Sequence, residues 1–317
     1  MTNPYVFLVG CPRSGTTMLK RMLAAHPLVA ITRETHWVAR FYERRVGLTD
    51  DGRVTPSIIE KWPKYHRFHH LGISPARLAR MVAKNDGAAY SEFVSQLYDR
   101  YGLSSGRPIV GDKTPTYVRR LPTLTALWPH TRFVHLIRDG RDVCLSVRNW
   151  RMAGKAAGAF ATWNTDPVTT TALWWKALVG IGCQDGAALG SSHYRPIQYE
   201  TLVSDCERGC RAMAEFLAIP YDLKMPRYYE GRTNQKEHAS ANRSWLPPTP
   251  GLRDWRTQMD CEEIERFEAA AGDLLHHLGY ELTFARIGPT TRRQVERVRD
   301  TFTAEAHERR WRLPDRW

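Results

Sequence analysis

Gly10-Cys11-Pro12-Arg13-Ser14-Gly15-Thr16-Thr17 has the residue types and spacing to hold a phosphate. An apolar run, Tyr5 to Val9, precedes it, and apolar Met18, Leu19, Met22 and Leu23 follow at helical spacing. Strand, glycine loop and helix N-terminus together direct backbone N–H groups and the positive end of a helix dipole at one point, which favours an anion. Against the nucleotide loop G-x-x-x-x-G-K-[ST], Gly10, Gly15 and Thr17 fall in register, but Thr16 occupies the lysine position and the cation has moved to Arg13. A triphosphate-cleaving enzyme needs that lysine and a magnesium-holding aspartate. This loop is suited to gripping a phosphate and poorly suited to hydrolysing a triphosphate.

Further polar groups follow short apolar runs. Val29-Ala30-Ile31 leads to Arg33-Glu34-Thr35-His36, Pro108 to Gly111 leads to Asp112-Lys113-Thr114-Pro115, and Phe133 to Ile137 leads to Arg138-Asp139-Gly140-Arg141. If these strands are parallel, Arg13, Glu34, Lys113 and Arg138 converge on the carboxyl edge of one sheet, where open α/β sheets bind ligands. Ser146, eight positions after Arg138, falls two turns into the helix expected from about Arg141. A guanidinium and a hydroxyl placed this way make a second anion clamp, separate from the first. Two such clamps without magnesium ligands suggest a nucleotide phosphorylated at both ends of its ribose.

The elements that must carry these groups read as one α/β domain over residues 1–285, a P-loop-type central parallel sheet flanked by helices, with a helical insertion at about 40–106 and a basic helical C-terminal extension, 286–317. Ser74-Pro75 opens one helix of the insertion and Tyr90 another. Residues 149–168 read as a mobile loop, Thr171 to Leu189 as a tryptophan-bearing helix, Tyr194 to Glu200 as a strand, and Cys206 to Leu217 and Glu262 to Leu278 as helices. Trp174 and Trp175 are expected in the core, with one available to line a planar ligand. Lys64 to His70 reads as a wet basic surface; its histidines lack the acidic companions of a metal site.

With 317 residues, 42% hydrophobic and 25% charged, the chain has the composition of a globular protein. A formal charge of +13 points to an anionic partner. The basic residues are dispersed and no nucleic-acid-binding signature is present, so a polyanionic small molecule is expected rather than nucleic acid. Six cysteines without a C-x-x-C pair suggest a reducing, cytoplasmic setting with neither disulfides nor zinc. No signal peptide is visible and no apolar run is long enough for stable membrane insertion. Nothing in the sequence fixes an oligomeric state.

Four motifs in order resemble the PAPS-dependent sulfotransferase family, in the style of its bacterial members and its tyrosylprotein and heparan branches, over most of residues 5–280. Cys11 to Thr17 resembles the family's 5′-phosphosulfate loop, and Arg138 to Ser146 its 3′-phosphate segment. Asp112-Lys113-Thr114-Pro115 is similar to its lysine turn. Gln198-Tyr199-Glu200-Thr201-Leu202 is similar to a later strand in which arginine stands where this chain has Gln198, so no cofactor role is assigned there. The resemblance implies PAPS as cofactor without a metal. Arg13 and the N–H groups of Ser14, Gly15, Thr16 and Thr17 would hold the 5′-phosphate, Lys113 would stabilise the sulfuryl or leaving oxygens, and Arg138 and Ser146 would hold the 3′-phosphate. Arg-Glu-Thr-His resembles the segment that supplies the glutamate base of the two branches, which makes Glu34 the expected base, its pKa raised by burial near bound anions, with His36 the rival. Lys236 and Arg243 would close over the phosphates. Arg141 reads as ordinary strand-end charge. The acceptor would be a hydroxyl or amine of a carbohydrate, lipid or small metabolite. A P-loop kinase and a non-enzymatic polyanion binder are the competing readings.

Overall fold

The computed structural model describes residues 5–231 and 246–315. Its five strands, β1 (Val6–Gly10), β2 (Val29–Thr32), β3 (Ile109–Lys113), β4 (Arg132–Ile137) and β5 (Tyr194–Gln198), form one sheet of order β2-β3-β1-β4-β5, and every pairing is parallel. β1 is therefore central. The chain winds outwards from it to β3 and β2 on one side and to β4 and β5 on the other. The crevice at that switch point, beyond the carboxyl ends of β1 and β4, is the ligand position such sheets offer.

β1 is apolar throughout because both its faces are covered. Tyr5, Phe7 and Val9 join one core cluster while Val6 and Leu8 join the other, the alternation a period of two requires. Helix α1 (Thr16–Ala25) covers the second face with Met18, Leu19, Met22 and Leu23. The first face is covered partly by the insertion, which holds α2 (Trp37–Glu43), the short α3 (Ile58–Lys61), α4 (Pro75–Lys84) and α5 (Tyr90–Ser104). Ser74 caps α4 by accepting the Arg77 N–H, with Pro75 at the first helical position, as its sequence implied. α6 (Leu121–Leu127) and α7 (Gly140–Arg148) follow β3 and β4.

Residues 149–168 depart from the expected mobile loop. They fold as three 3₁₀ turns, Ala153–Lys155, Ala157–Ala159 and Ala161–Asn164, because the small residues let the backbone pack closely while Phe160 is buried. The next helix, α8 (Pro167–Leu189), starts earlier than Thr171, with Asp166 capping the Thr169 N–H. α9 (Tyr199–Ser204) and α10 (Cys206–Leu217) follow β5 directly. After the short α11 (Trp255–Gln258), α12 (Cys261–His277) ends in a Schellman pattern: Gly279, at φ +81°, donates to the His276 carbonyl and Tyr280 to that of Leu275. The C-terminal α13 (Pro289–Glu308) keeps a basic exposed face but buries Val295, Phe302 and Ala306, and Phe302 stacks on Phe160 with ring centres 4.1 Å apart. Among the described residues, no helix is long and apolar enough to cross a membrane.

Candidate active site

Parallel register aligns the strand ends. Gly10 pairs with Leu136, Leu8 with Lys113, and Thr32 with Asp112, so the segments that follow them open onto one cleft of about 1,370 Å³. Arg13, Glu34, His36, Arg138 and Ser146 all line it. Lys113 reaches it through Glu34.

The loop after β1 is tightly determined. A Cβ on Gly10 would lie 2.5 Å from the Leu136 carbonyl oxygen, and one on Gly15 would lie 2.7 Å from two ring carbons of Tyr199. Gly15 is also left-handed at φ +92° and caps α1 without a side-chain acceptor, so the first turn of the helix meets the cleft through its backbone. Gly15→Ala is therefore expected to displace the loop from Tyr199 and weaken anion binding at least about tenfold, with loss of roughly 1–2 kcal/mol of stability. Calorimetric titration and thermal melting check both.

Arg13 is left-handed too, at φ +78°, a conformation that costs a non-glycine residue about 1–3 kcal/mol and recurs at functional sites. This backbone turns its side chain across the cleft. Its Nε donates to Ser146 Oγ at 3.1 Å, and its guanidinium lies 5.2 Å from the centre of the Trp150 ring. The two anion clamps, read as separate in sequence, are thus joined by a hydrogen bond. Burial lowers the Arg13 pKa, and the charges of Arg253 and Arg138 lower it further. Arg138 is buried, 4.4 Å from the centre of the Tyr199 ring, and paired with Asp142 at 3.1 Å. Its Nε and the Ser14 hydroxyl are buried without a hydrogen-bond partner. Crowded guanidinium groups beside orphaned donors fit a ligand with more than one anionic group.

Across the cleft, Glu34 joins three cationic or ionisable side chains. Its Oε1 accepts from Lys113 Nζ at 2.6 Å, and its Oε2 lies 2.8 Å from Arg67 and 3.0 Å from His36 Nε2. The sequence led to a raised Glu34 pKa, and here the structure differs. Burial does push it up, but the His36 hydrogen bond and the Lys113 charge and hydrogen bond prevail and hold the carboxyl far below its usual range. His36, left-handed at φ +55°, is fixed on its other side by Thr116 Oγ1, 3.2 Å from Nδ1. Below them, buried Asp112 accepts from Thr35, Thr114 and Tyr98 and so ties the ends of β2 and β3 together.

Several contributors were not singled out from sequence. Arg67 lies in the stretch read as wet surface, yet it reaches Glu34, as does His70, whose Nδ1 is 3.2 Å from the Glu34 carbonyl oxygen. Arg253 is one basic residue in a Pro/Gly-rich stretch without periodicity, and it lines the cleft beside Arg13. Tyr199, in the motif given no cofactor role, forms the wall under Gly15 and Arg138. Neighbouring Glu200 accepts the Asp139 N–H and so fixes the start of α7. Arg141, read as strand-end charge, is fully buried between Asp139 and Glu268. Trp174 and Trp175 are both core residues; Trp174 also lines the cleft, while Trp175 donates to the Arg138 carbonyl at 3.1 Å. Lys236 and Arg243 lie outside the described residues.

Comparison with known proteins places the chain in a family. A family profile described as "Sulfotransferase family" matches residues 4–223. Protein-tyrosine sulfotransferase A of Caenorhabditis elegans is 27% identical over 230 residues, 71% of this chain and 52% of that protein, so the chain spans about half its length. Nodulation protein NoeE of Sinorhizobium fredii is 27% identical over 303 residues, covering 87% of this chain and 65% of that one. Among solved structures, the sulfotransferase domain of the curacin biosynthetic pathway superposes with a TM-score of 0.53 at 17% identity, over 98% of both chains. A sulfotransferase of Mycobacterium avium superposes with 0.51 at 16% identity, over 89% of this chain and 78% of that one. The profile spans more than half of the residues and the fold agrees with it: the chain belongs to the sulfotransferase family.

Proposed function

We propose that this chain transfers the sulfuryl group of PAPS to a hydroxyl or amine of a small-molecule, lipid or glycan acceptor. The observation that carries the reading is the Arg13–Ser146 hydrogen bond, with Arg138 beside it and the Glu34–Lys113 pair across the same cleft. PAPS, when bound, supplies an activated sulfuryl group and a phosphate leaving group. The N–H groups from Ser14 to Thr17 and the Arg13 guanidinium hold the 5′-phosphate, while Arg138 and Ser146 hold the 3′-phosphate. Ligand oxygens would replace the partners that Arg13 and Ser146 now supply to each other. Lys113 stands next to the reacting centre as a fixed positive charge, where charge stabilisation supplies much of the rate in loose group transfer.

Glu34 takes the acceptor proton. As a carboxylate pinned by cations it is a weak base at rest, and it becomes stronger once an incoming anion shares the charge of Lys113. His36, hydrogen-bonded to Oε2, orients that carboxylate and is the alternative base.

Arg138→Ala tests the cofactor assignment. Loss of a charged hydrogen-bonding group is expected to weaken PAP binding by about 10- to 100-fold while affinity for adenosine 5′-phosphosulfate changes little. Titration of both nucleotides measures this, and equal losses would refute the 3′-phosphate role. Transfer of labelled sulfate from PAPS to an acceptor library tests the activity itself. Magnesium-dependent turnover of ATP would favour a kinase instead, and retention on heparin or DNA without saturable PAP binding a polyanion binder.

A further inference from the structure

Beyond His36 the cleft continues into an arm that the transfer reading leaves without a role. Its wall is the 3₁₀ turn Pro115–Arg119. Thr116 and Arg119, three residues apart, lie on one face of that turn and about 6 Å apart along its axis. Thr116 touches His36, and Arg119 lines the cleft one turn further along. The Arg119 guanidinium stacks on Trp311, 3.7 Å from the ring centre. Its Nε is buried with no hydrogen-bond partner, and among the described residues no carboxylate forms an ion pair with it. Neighbouring Arg120 is different: it pairs with Glu43 at 3.3 Å, and Thr123 occupies the same carboxylate. Burial, with Arg120 close by, lowers the Arg119 pKa to about 9, and the charge of Glu43 offsets this only in part. A cation held in this setting, with donor capacity unused, calls for an anion.

The surroundings narrow the ligand. Phe160, its ring centre 5.2 Å from that of Trp311, Trp174 and Leu178 give the lining apolar surface, and Lys155 and Arg309 add two cations, Arg309 lying 5.0 Å from the Phe160 ring centre. Trp311 and Arg309 lie after α13, so the C-terminal helix brings them to the cleft.

We propose, on the basis of the transferase reading above, that Arg119 and Trp311 form an anion subsite for the acceptor. The acceptor then has an apolar or aromatic body and carries a carboxylate, phosphate or sulfate ester at one end. Its reacting hydroxyl or amine sits at Glu34 and His36, roughly one helical turn from that anion.

The test uses protein saturated with PAP, so that Arg13 and Arg138 are occupied. Phenylpropanoate, naphthylacetate and decanoate are each titrated against their neutral primary amides. At least one carboxylate is expected to bind about tenfold more tightly than its amide. Arg119→Gln should erase that preference, and Arg119→Lys, which keeps the charge, should retain part of it. The proposal is overturned if no carboxylate outbinds its amide, or if Arg119→Gln keeps the preference while still binding PAP. Should Arg119→Gln fail to fold, loss of the preference in Trp311→Leu supports the subsite and its persistence there overturns it. PAP binding is recorded separately, so a carboxylate preference dependent on Arg119 supports the subsite even if PAP fails to bind, which would count against the cofactor reading alone.

Discussion

Arg141→Ala is expected to lower folding stability by about 3–5 kcal/mol, the range for removing one partner of a buried ion pair. Arg141 is fully buried, with Nε and one terminal nitrogen on Asp139 at 3.0 and 2.8 Å, the other on Glu268 at 2.7 Å, and the Trp255 ring centre 3.6 Å away. Alanine would leave two buried carboxylates without their cation. Neither can be dispensed with, because Asp139 caps α7 and Glu268 accepts the N–H groups of Thr283 and Phe284. Denaturant melts of the variant beside the parent measure this, and a deficit under about 1 kcal/mol would contradict the account. PAP affinity should fall as well, since α7 carries Ser146.

Glu34→Gln should reduce turnover by about 10²-fold or more while leaving PAP affinity unchanged or slightly improved. Glutamine matches the shape but accepts no proton, and general-base catalysis contributes on that scale. The affinity expectation follows from Lys113, which loses the carboxylate it holds at 2.6 Å and faces an incoming anion with its charge uncommitted. Steady-state rates beside PAP titrations separate the two effects, and wild-type turnover would remove Glu34 as base. The pH dependence gives a second check. A depressed carboxylate pKa makes the Glu34 network's stabilising contribution fully present above about pH 4.5 and lost as pH falls towards the folded pKa. Turnover limited by Glu34 should therefore show no acid limb near neutral pH, and a limb there would count against Glu34 as the base.

How much of this was legible depended on whether a residue's role is fixed by its chain neighbours or by distant ones. The parallel sheet, α10 at Cys206–Leu217 and the Gly279 stop could be read because apolar period, caps and glycine act locally. Arg13, Glu34 and Arg138 could be read because each follows a strand, and parallel strands bring such ends together. Arg67 could not: its place beside Glu34 depends on how the insertion folds back, and a run of His, Arg and Lys looks the same whether wet or engaged. Arg141 resembled Arg138 in sequence, and only Glu268, 127 positions away, marks it as structural. The Glu34 pKa went in the opposite direction because the adjacent His36 and the distant Lys113, 79 positions away, together outweigh its burial.

The strand order has a consequence for synthesis. β1 bonds to no strand near it in sequence: its partners are β3, beginning at Ile109, and β4, beginning at Arg132. At roughly 5–20 residues per second, a ribosome takes about 6–25 s to supply β4 after releasing β1. A wholly apolar strand waits with both edges open until β3 is made and with one edge open until β4 is made, and it is the strand whose end carries the phosphate loop. The nascent chain should depend on holdase protection until β4 is made, and loop and cleft take shape only after that wait is over.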